Sequence, residues 1–278
     1  MYCYRHPNRE TGLSCSECGR PICTECMTVA PVGLRCPDHA GGRTAPVSIT
    51  RTVRGVKAGA TQGIVTKTLI AVNVLIYLIT VAQGSGINSP GGSLFEKFAL
   101  FGPAVANGGW WRLITAAFLH ASLIHIGFNM LALWWFGRPV EAFLGPWRYL
   151  LLYFVSGLAG SAGALIANPT AVTVGASGAI FGVLGAALVL ERFHFDVLGG
   201  SALVIVILNI VLSFTIAGIS IGGHIGGLIG GAVSMLVLSR FGRRHPGYGR
   251  PGALEVAGVI AVGVISVLVS YMKARGNL

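Results

Sequence analysis

Two side chains in an apolar stretch of this sequence have the types needed for acyl transfer. Ser177 lies in Gly175-Ala176-Ser177-Gly178, and His224 opens the glycine-rich run Gly223-His224-Ile225-Gly226-Gly227. A serine hydroxyl becomes a nucleophile when a base takes its proton, and imidazole is the side chain best suited to do so near neutral pH. His224, Gly227 and Gly231 recur at i, i+3 and i+7, so they share one helix face. Gly178, Gly182 and Gly185 offer a second small-residue face. Packing these faces closely brings Ser177 within reach of His224. Phe181 follows Ser177 by one turn and could stack on the His224 ring. A GxSG tetrapeptide by itself also reads as a helix-packing site, so the partner histidine carries the argument.

Acyl transfer also requires donors for the developing oxyanion. His125 and Asn129 are four residues apart and project from one helix face. Each can donate a hydrogen bond, and the Ser177 backbone N–H adds a third donor. His120 is five residues from His125 and reads as a structural or water-side histidine. The sequence has no Asp or Glu in mid-span to complete a triad, so a two-residue Ser-His dyad is required. The same absence disfavours a proton-conducting transporter built on His120, His125 and His224. No HExxH sequence supports a metalloprotease.

Positioning these groups requires helices in lipid. The chain has 278 residues, 53% of them hydrophobic and only 10% charged. Soluble domains carry about 25% charged residues. A span needs about 20 apolar residues. Seven segments qualify, at 68–83, 113–136, 147–167, 174–190, 197–217, 219–238 and 254–272, and the fourth is short. The loop 84–111 between the first two is long and rich in aromatic residues, which suits an interfacial structure.

The formal net charge is +11. In a soluble protein that excess would suggest nucleic acid. Here it follows the positive-inside rule. With a cytoplasmic N-terminus, all 20 basic residues except Lys97, Arg112, Lys273 and Arg275 fall on the inner side. This places Ser177 and His224 toward the outer face of a multi-pass protein of the cytoplasmic membrane. No nucleic-acid partner is expected.

All 6 cysteines precede residue 40. With two histidines they make four short pairs: Cys3-x2-His6, Cys15-x2-Cys18, Cys23-x2-Cys26 and Cys36-x2-His39. Eight ligands suffice for two tetrahedral zinc ions with no open position, a structural rather than catalytic arrangement. Forty residues bury little core, so metal would supply the folding energy. Spacing alone allows sequential or crossed pairing. The expected organisation is a zinc module at 1–40, a basic linker at 41–66, a membrane core at 67–240, and a basic loop with a seventh span at 241–278.

Together these motifs resemble the rhomboid family of intramembrane serine proteases. The resemblance rests on Trp111-Arg112, His120, His125, Asn129, Gly175-Ala176-Ser177-Gly178 and His224-x2-Gly227-x3-Gly231, and covers about residues 67–240. It implies an all-α polytopic fold, a six-helix bundle to which the seventh helix and the zinc module are additions. It implies Ser177 as nucleophile and His224 as base, with His125, Asn129 and the Ser177 N–H as the oxyanion site. Gly175, Gly178, Phe181, His120, Trp111 and Arg112 support them. Phe181 stands where the family often has Tyr. No cofactor for catalysis is implied, and the substrates would be transmembrane segments of other proteins in the bilayer. A catalytically silent, client-binding relative is the rival, disfavoured because both Ser177 and His224 are present. The first 40 residues resemble B-box-type zinc fingers. That resemblance implies crossed pairing, with Cys3, His6, Cys23 and Cys26 on one ion and Cys15, Cys18, Cys36 and His39 on the other. It also implies a cytoplasmic protein partner for the module.

Overall fold

A computed structural model describes residues 1–30, 33–39, 63–193, 195–215, 218–240 and 252–276. Most of the expected linker and the basic loop after Arg240 lie outside the described residues. The chain divides into two compact units, 1–58 and 59–278.

The N-terminal unit has two small antiparallel ribbons. One pairs β1 (Tyr2–Cys3) with β2 (His6–Glu10), the other β3 (Thr28–Val29) with β4 (Leu34–Arg35). Its core is little more than Ile22 and five of the cysteines, as expected where apolar side chains are few. On its surface Asp38 accepts from the Tyr4 hydroxyl at 3.0 Å, from Arg5 at 2.7 Å and from Arg20 at 3.1 Å. The Tyr4 hydrogen bond, then Arg5, hold the Asp38 carboxyl below its usual range.

Among its described residues the second unit is helical and has no strand. Its helices are α1 (Ile64–Gln83), α2 (Gly92–Phe98), α3 (Gly102–Ala106), α4 (Arg112–Thr115), α5 (Leu123–Ala132), α6 (Arg138–Leu144), α7 (Pro146–Ala167), α8 (Ser177–Arg192), α9 (Ala202–Thr215), α10 (Ile221–Arg240) and α11 (Ala253–Ala274). A 3-10 turn, Ala116–Phe118, extends α4, and a π-helical turn, Leu133–Gly137, joins α5 to α6.

The span pattern differs from the expected seven. Among the described residues, α1, α7, α10 and α11 are long and apolar enough to cross a membrane. A fifth crossing requires α4 and α5–α6 to count together, and these meet at a 95° bend. The segment expected as one helix over 113–136 is therefore broken. Leu119 is extended, and Ser122 caps α5 by accepting the His125 backbone N–H at 3.2 Å. A serine hydroxyl that satisfies an orphan N–H favours starting a new helix over continuing an old one. The fourth segment starts at Ser177 rather than Val174 because Gly175 has φ +120°, open to glycine but strained for other residues. At 16 residues, α8 falls short of a full crossing, as does α9 with 14.

Glycine seams hold α7, α8 and α10 together. A Cβ added at Gly227 would overlap the Gly178 carbonyl, and one at Gly231 the Gly182 carbonyl. On the other side of α10, a Cβ at Gly226 would overlap the Ala159 carbonyl, and one at Gly163 the Gly222 carbonyl. Helices in lipid gain little from hiding apolar surface, so close backbone contact supplies the packing. Lipid-side residues such as Ile207, Leu208 and Val211 stay exposed, whereas Tyr149, Leu152 and Tyr153 are fully buried.

Buried Glu141 joins α6 to the start of α1. Its carboxylate accepts from the backbone N–H groups of Val65 and Thr66 at 2.9 and 2.8 Å, and from the Thr66 hydroxyl at 2.7 Å. A carboxylate at a helix N-terminus satisfies orphan donors and favours the helix dipole. Glu191 acts similarly at the start of α9, accepting from Leu198, Gly200 and Ala202 N–H groups.

Candidate active site

Ser177 is the first residue of α8, and the segment before it is tied to its neighbours. Thr173 and Leu100 exchange two backbone hydrogen bonds, and Gly175 N–H donates to the Ala116 carbonyl at 2.9 Å. The first helical bond of α8 runs from Ile180 N–H to the Ala176 carbonyl. The N–H groups of Ser177 and Gly178 therefore lie ahead of the helical ladder, at the positive end of the helix dipole.

His125 and Asn129 reach this segment from α5. A Cβ on Gly175 would sit 2.6 Å from His125 Nε2 and 3.7 Å from Asn129 Nδ2. Only a glycine lets the chain pass there. The Ala121 backbone N–H lies 3.4 Å from His125 Nδ1, and donates to it. A nitrogen that accepts carries no proton, so the His125 proton belongs on Nε2, the nitrogen that faces Gly175. Asn129 Nδ2 donates one hydrogen to the His125 carbonyl at 3.1 Å. His120 is buried beside them, its ring edge-on to His125 with centroids 5.0 Å apart. Neither of its ring nitrogens has a hydrogen-bond partner among the described residues. It is an interior group rather than a water-side one.

His224 lies in the first turn of α10, buried. Its ring stacks on Phe181, with centroids 4.0 Å apart and planes 16° apart. Its Nδ1 lies 2.6 Å from Ser213 Oγ on α9. The Ser177 hydroxyl itself makes no hydrogen bond among the described residues. Catalytic hydrogen bonds often close only once substrate is bound. Ser213 is a contact the sequence reading misses. The available signal was an Asn209 and Ser213 pair at i, i+4 on an otherwise apolar helix.

Trp111 and Arg112 are structural ties at the entrance of the bent segment. Trp111 Nε1 donates to the Lys97 carbonyl at 3.1 Å. Arg112 donates to the carbonyls of Glu96 and Ala99 at 2.8 and 2.7 Å. Together they bind the carbonyl end of α2 to α4. Thr115, not singled out in the sequence, adds a bond to the Phe98 carbonyl at 2.9 Å.

A family model described as a Rhomboid domain matches residues 107–241, the stretch that contains Trp111, Arg112, His120, His125, Asn129, Ser177, Phe181, Ser213 and His224. The chain carries a rhomboid-family domain. Its relatives include the rhomboid protease GluP of Bacillus subtilis, 35% identical over 54% of this chain and 30% of that protein. The rhomboid-type serine protease 2 of Emericella nidulans is 37% identical over 46% of this chain and 24% of its own length. The RHOMBOID-like protein 1 of Arabidopsis thaliana is 46% identical over 28% of this chain and 20% of its length. The matched region thus spans less than half of each of these relatives.

Outside the rhomboid domain, the N-terminal unit gathers two Cys/His clusters. Cys3, His6, Cys23 and Cys26 form one, and Cys15, Cys18, Cys36 and His39 the other, with ligand atoms within 4.8 Å of one another. The crossed arrangement is the one found, not the sequential one. Each histidine presents Nδ1, His6 at 3.4 Å from both Cys23 and Cys26 Sγ, His39 at 3.2 Å from Cys36 Sγ. The Cys18 and Cys36 sulfurs are 3.8 Å apart. Tetrahedral ligation with bonds of about 2.3 Å requires sulfurs about 3.8 Å apart. Burial pushes the Cys3 and Cys15 thiols up, but surrounding backbone N–H groups outweigh it and carry both down to about 6. That favours the thiolate, the form that binds metal, at Cys3 and Cys15, whereas burial and the neighbouring Cys3 and Cys23 push the Cys26 thiol up to about 11. The donor set fits a closed, structural metal site.

Proposed function

We propose that the chain is an intramembrane serine protease that cleaves peptide bonds in or beside transmembrane segments. The observation that carries this reading is the stack of His224 on Phe181, one turn from Ser177, across the Gly178–Gly227 seam. Ser177 Oγ attacks the scissile carbonyl carbon as its proton passes to His224 Nε2. Negative charge collects on the carbonyl oxygen, facing the donors His125 Nε2–H, Asn129 Nδ2–H and the Ser177 N–H. On collapse the C–N bond breaks, and His224 returns the proton to the leaving amine. Water, deprotonated by the same imidazole, then hydrolyses the acyl-enzyme.

The substrate must expose a carbonyl that a helix would hide, so it unwinds locally at the membrane surface. The bend between α4 and α5 and the short α8 leave irregular backbone at this level, which is tolerated at membrane depth where it is buried in protein or lines a wet cavity. In the N-terminal unit, the two Cys/His clusters would each hold one structural zinc ion, which closes the fold and takes no part in hydrolysis. The module faces the cytoplasm, where it engages a protein partner, and the serine–histidine site faces outward.

Ser177→Ala and His224→Ala in the full chain, reconstituted in liposomes with a reporter transmembrane substrate, test the reading. Each variant should insert and fold yet cleave nothing. A fluorophosphonate should label the wild type and not Ser177→Ala. Cleavage that persists in Ser177→Ala overturns the reading.

A further inference from the structure

We propose that Ser213 is a positioning residue that fixes the proton of His224 on Nδ1, leaving Nε2 free to act as the base. Helix α9 is apolar except for Asn209, Ser213 and Thr215. Ala202, Val206, Asn209 and Ser213 fall along one face, and Ala202, Val206 and Ser213 are buried. Ser213 is thus a hydroxyl turned into the bundle, on a helix whose other side meets lipid.

The hydrogen-bond direction follows from what each atom can do. Ser213 Oγ lies 2.7 Å from the Asn209 carbonyl oxygen and 2.6 Å from His224 Nδ1. A carbonyl only accepts, so the single hydroxyl proton belongs on that contact. If it turned to Nδ1 instead, two oxygens at 2.7 Å would face each other with no proton between them. Oγ therefore presents a lone pair to His224, and Nδ1 must carry the proton. Nε2 is left with its lone pair.

The relay Nδ1–H to Ser213 Oγ–H to Asn209 carbonyl substitutes a neutral chain for the carboxylate that this site lacks. No proton moves along it. When His224 takes the Ser177 proton at Nε2, Nδ1 keeps its own, and the Ser213 oxygen faces the new positive charge. Hydrogen bonds to charged groups are stronger than neutral ones, so the contact favours the protonated imidazole of the reaction over its resting state. His125, whose Nδ1 accepts from Ala121, holds the opposite tautomer. One site therefore contains an Nε2 that donates and an Nε2 that accepts.

The catalytic consequence rests on the protease reading, whereas the tautomer assignment does not. Ser213→Thr and Ser213→Val have nearly equal volume and differ only in the hydroxyl. In the full chain in liposomes, Thr should keep kcat and the rate of fluorophosphonate labelling within about threefold of wild type. Val should lower both roughly tenfold, the equivalent of one hydrogen bond, with KM within about twofold. In 15N-histidine spectra, the His224 signal, assigned by its loss in His224→Asn, should report unprotonated Nε2 in wild type and Thr, and mixed tautomers in Val. Thr and Val variants that behave alike in rate and in tautomer, whether both active or both inactive, overturn the proposal. A wild type that neither cleaves nor labels overturns the protease reading instead, and the nitrogen spectra then decide the tautomer by themselves.

Discussion

The imidazole of His224 and the phenyl ring of Phe181 lie nearly parallel, 4.0 Å between centroids and 16° between planes. They sit on different helices whose backbones touch at Gly178 and Gly227. The ring gives the imidazole a flat wall, and Ser213 Oγ meets its Nδ1 at 2.6 Å. The two contacts leave the imidazole little freedom to rotate. An offset or stacked aromatic pair contributes about 0.5–1.5 kcal/mol beyond its area. Phe181→Leu should therefore lower kcat about three- to tenfold with little change in KM, and Phe181→Tyr should keep the wild-type rate. Steady-state cleavage of a reporter substrate in liposomes measures both. Equal kcat for Phe and Leu would remove the stack from the mechanism.

His125 and Asn129 should act on the transition state and hardly on substrate binding. Losing one oxyanion donor costs roughly 10²–10³ in kcat. His125→Ala and Asn129→Ala should each show a drop of that order with KM near wild type. The double variant should lose less than the product of the two, since two donors that serve one oxygen act as a unit and their deletions are not additive. A KM that rises with kcat unchanged would assign these residues to substrate binding.

Gly227→Ala places a methyl group against the Gly178 carbonyl, where nothing flexible can yield. Overpacking of this kind costs about 1–3 kcal/mol, and the shift would separate α8 from α10. Thermal unfolding in detergent should fall by several degrees and cleavage should be lost. Gly127→Ala is the matched control, because a Cβ there meets nothing within 4 Å. If the two variants melt together, the seam does not hold the site.

The Cys/His clusters should hold two zinc ions per chain. Elemental analysis of purified full-length protein checks this, and one ion would reject the two-site reading. Replacing Cys18 with Ser should remove one ion and spare the cluster of Cys3, His6, Cys23 and Cys26. Chelation should unfold the N-terminal unit, because its buried core is Ile22 and five of the cysteines. Fluorophosphonate labelling of Ser177 in the stripped protein then reports whether the module influences the site.

The residues with chemistry were legible in the sequence because the bilayer makes polar groups rare. Ser177, His125, Asn129 and His224 stand out against their apolar neighbours, and the glycine spacings mark which helix faces touch. The four close Cys/His pairs are equally plain. Helix count and continuity were less so. Hydropathy runs unbroken from Leu113 to Phe136, yet the backbone turns by 95° within it, because one hydroxyl at Ser122 caps a new helix. Hydropathy averages over such a residue.

What the sequence by itself determined is the inventory: an all-α membrane chain, a rhomboid-type set of polar residues, and eight metal-ligand side chains at the N-terminus. Only the tertiary structure decided which of them meet. Glu141 caps a helix from 75 residues away, Ser213 reaches His224 across two helices, and the Cys/His pairs cross rather than follow in order. It also decided which ring nitrogen of each histidine meets a partner, His125 Nδ1 the Ala121 N–H and His224 Nδ1 the Ser213 hydroxyl. The physical reason is that helical periodicity encodes which face a residue occupies, but not which atom lies opposite. Hydrogen-bond direction depends on that second partner, and packing alone brings it there.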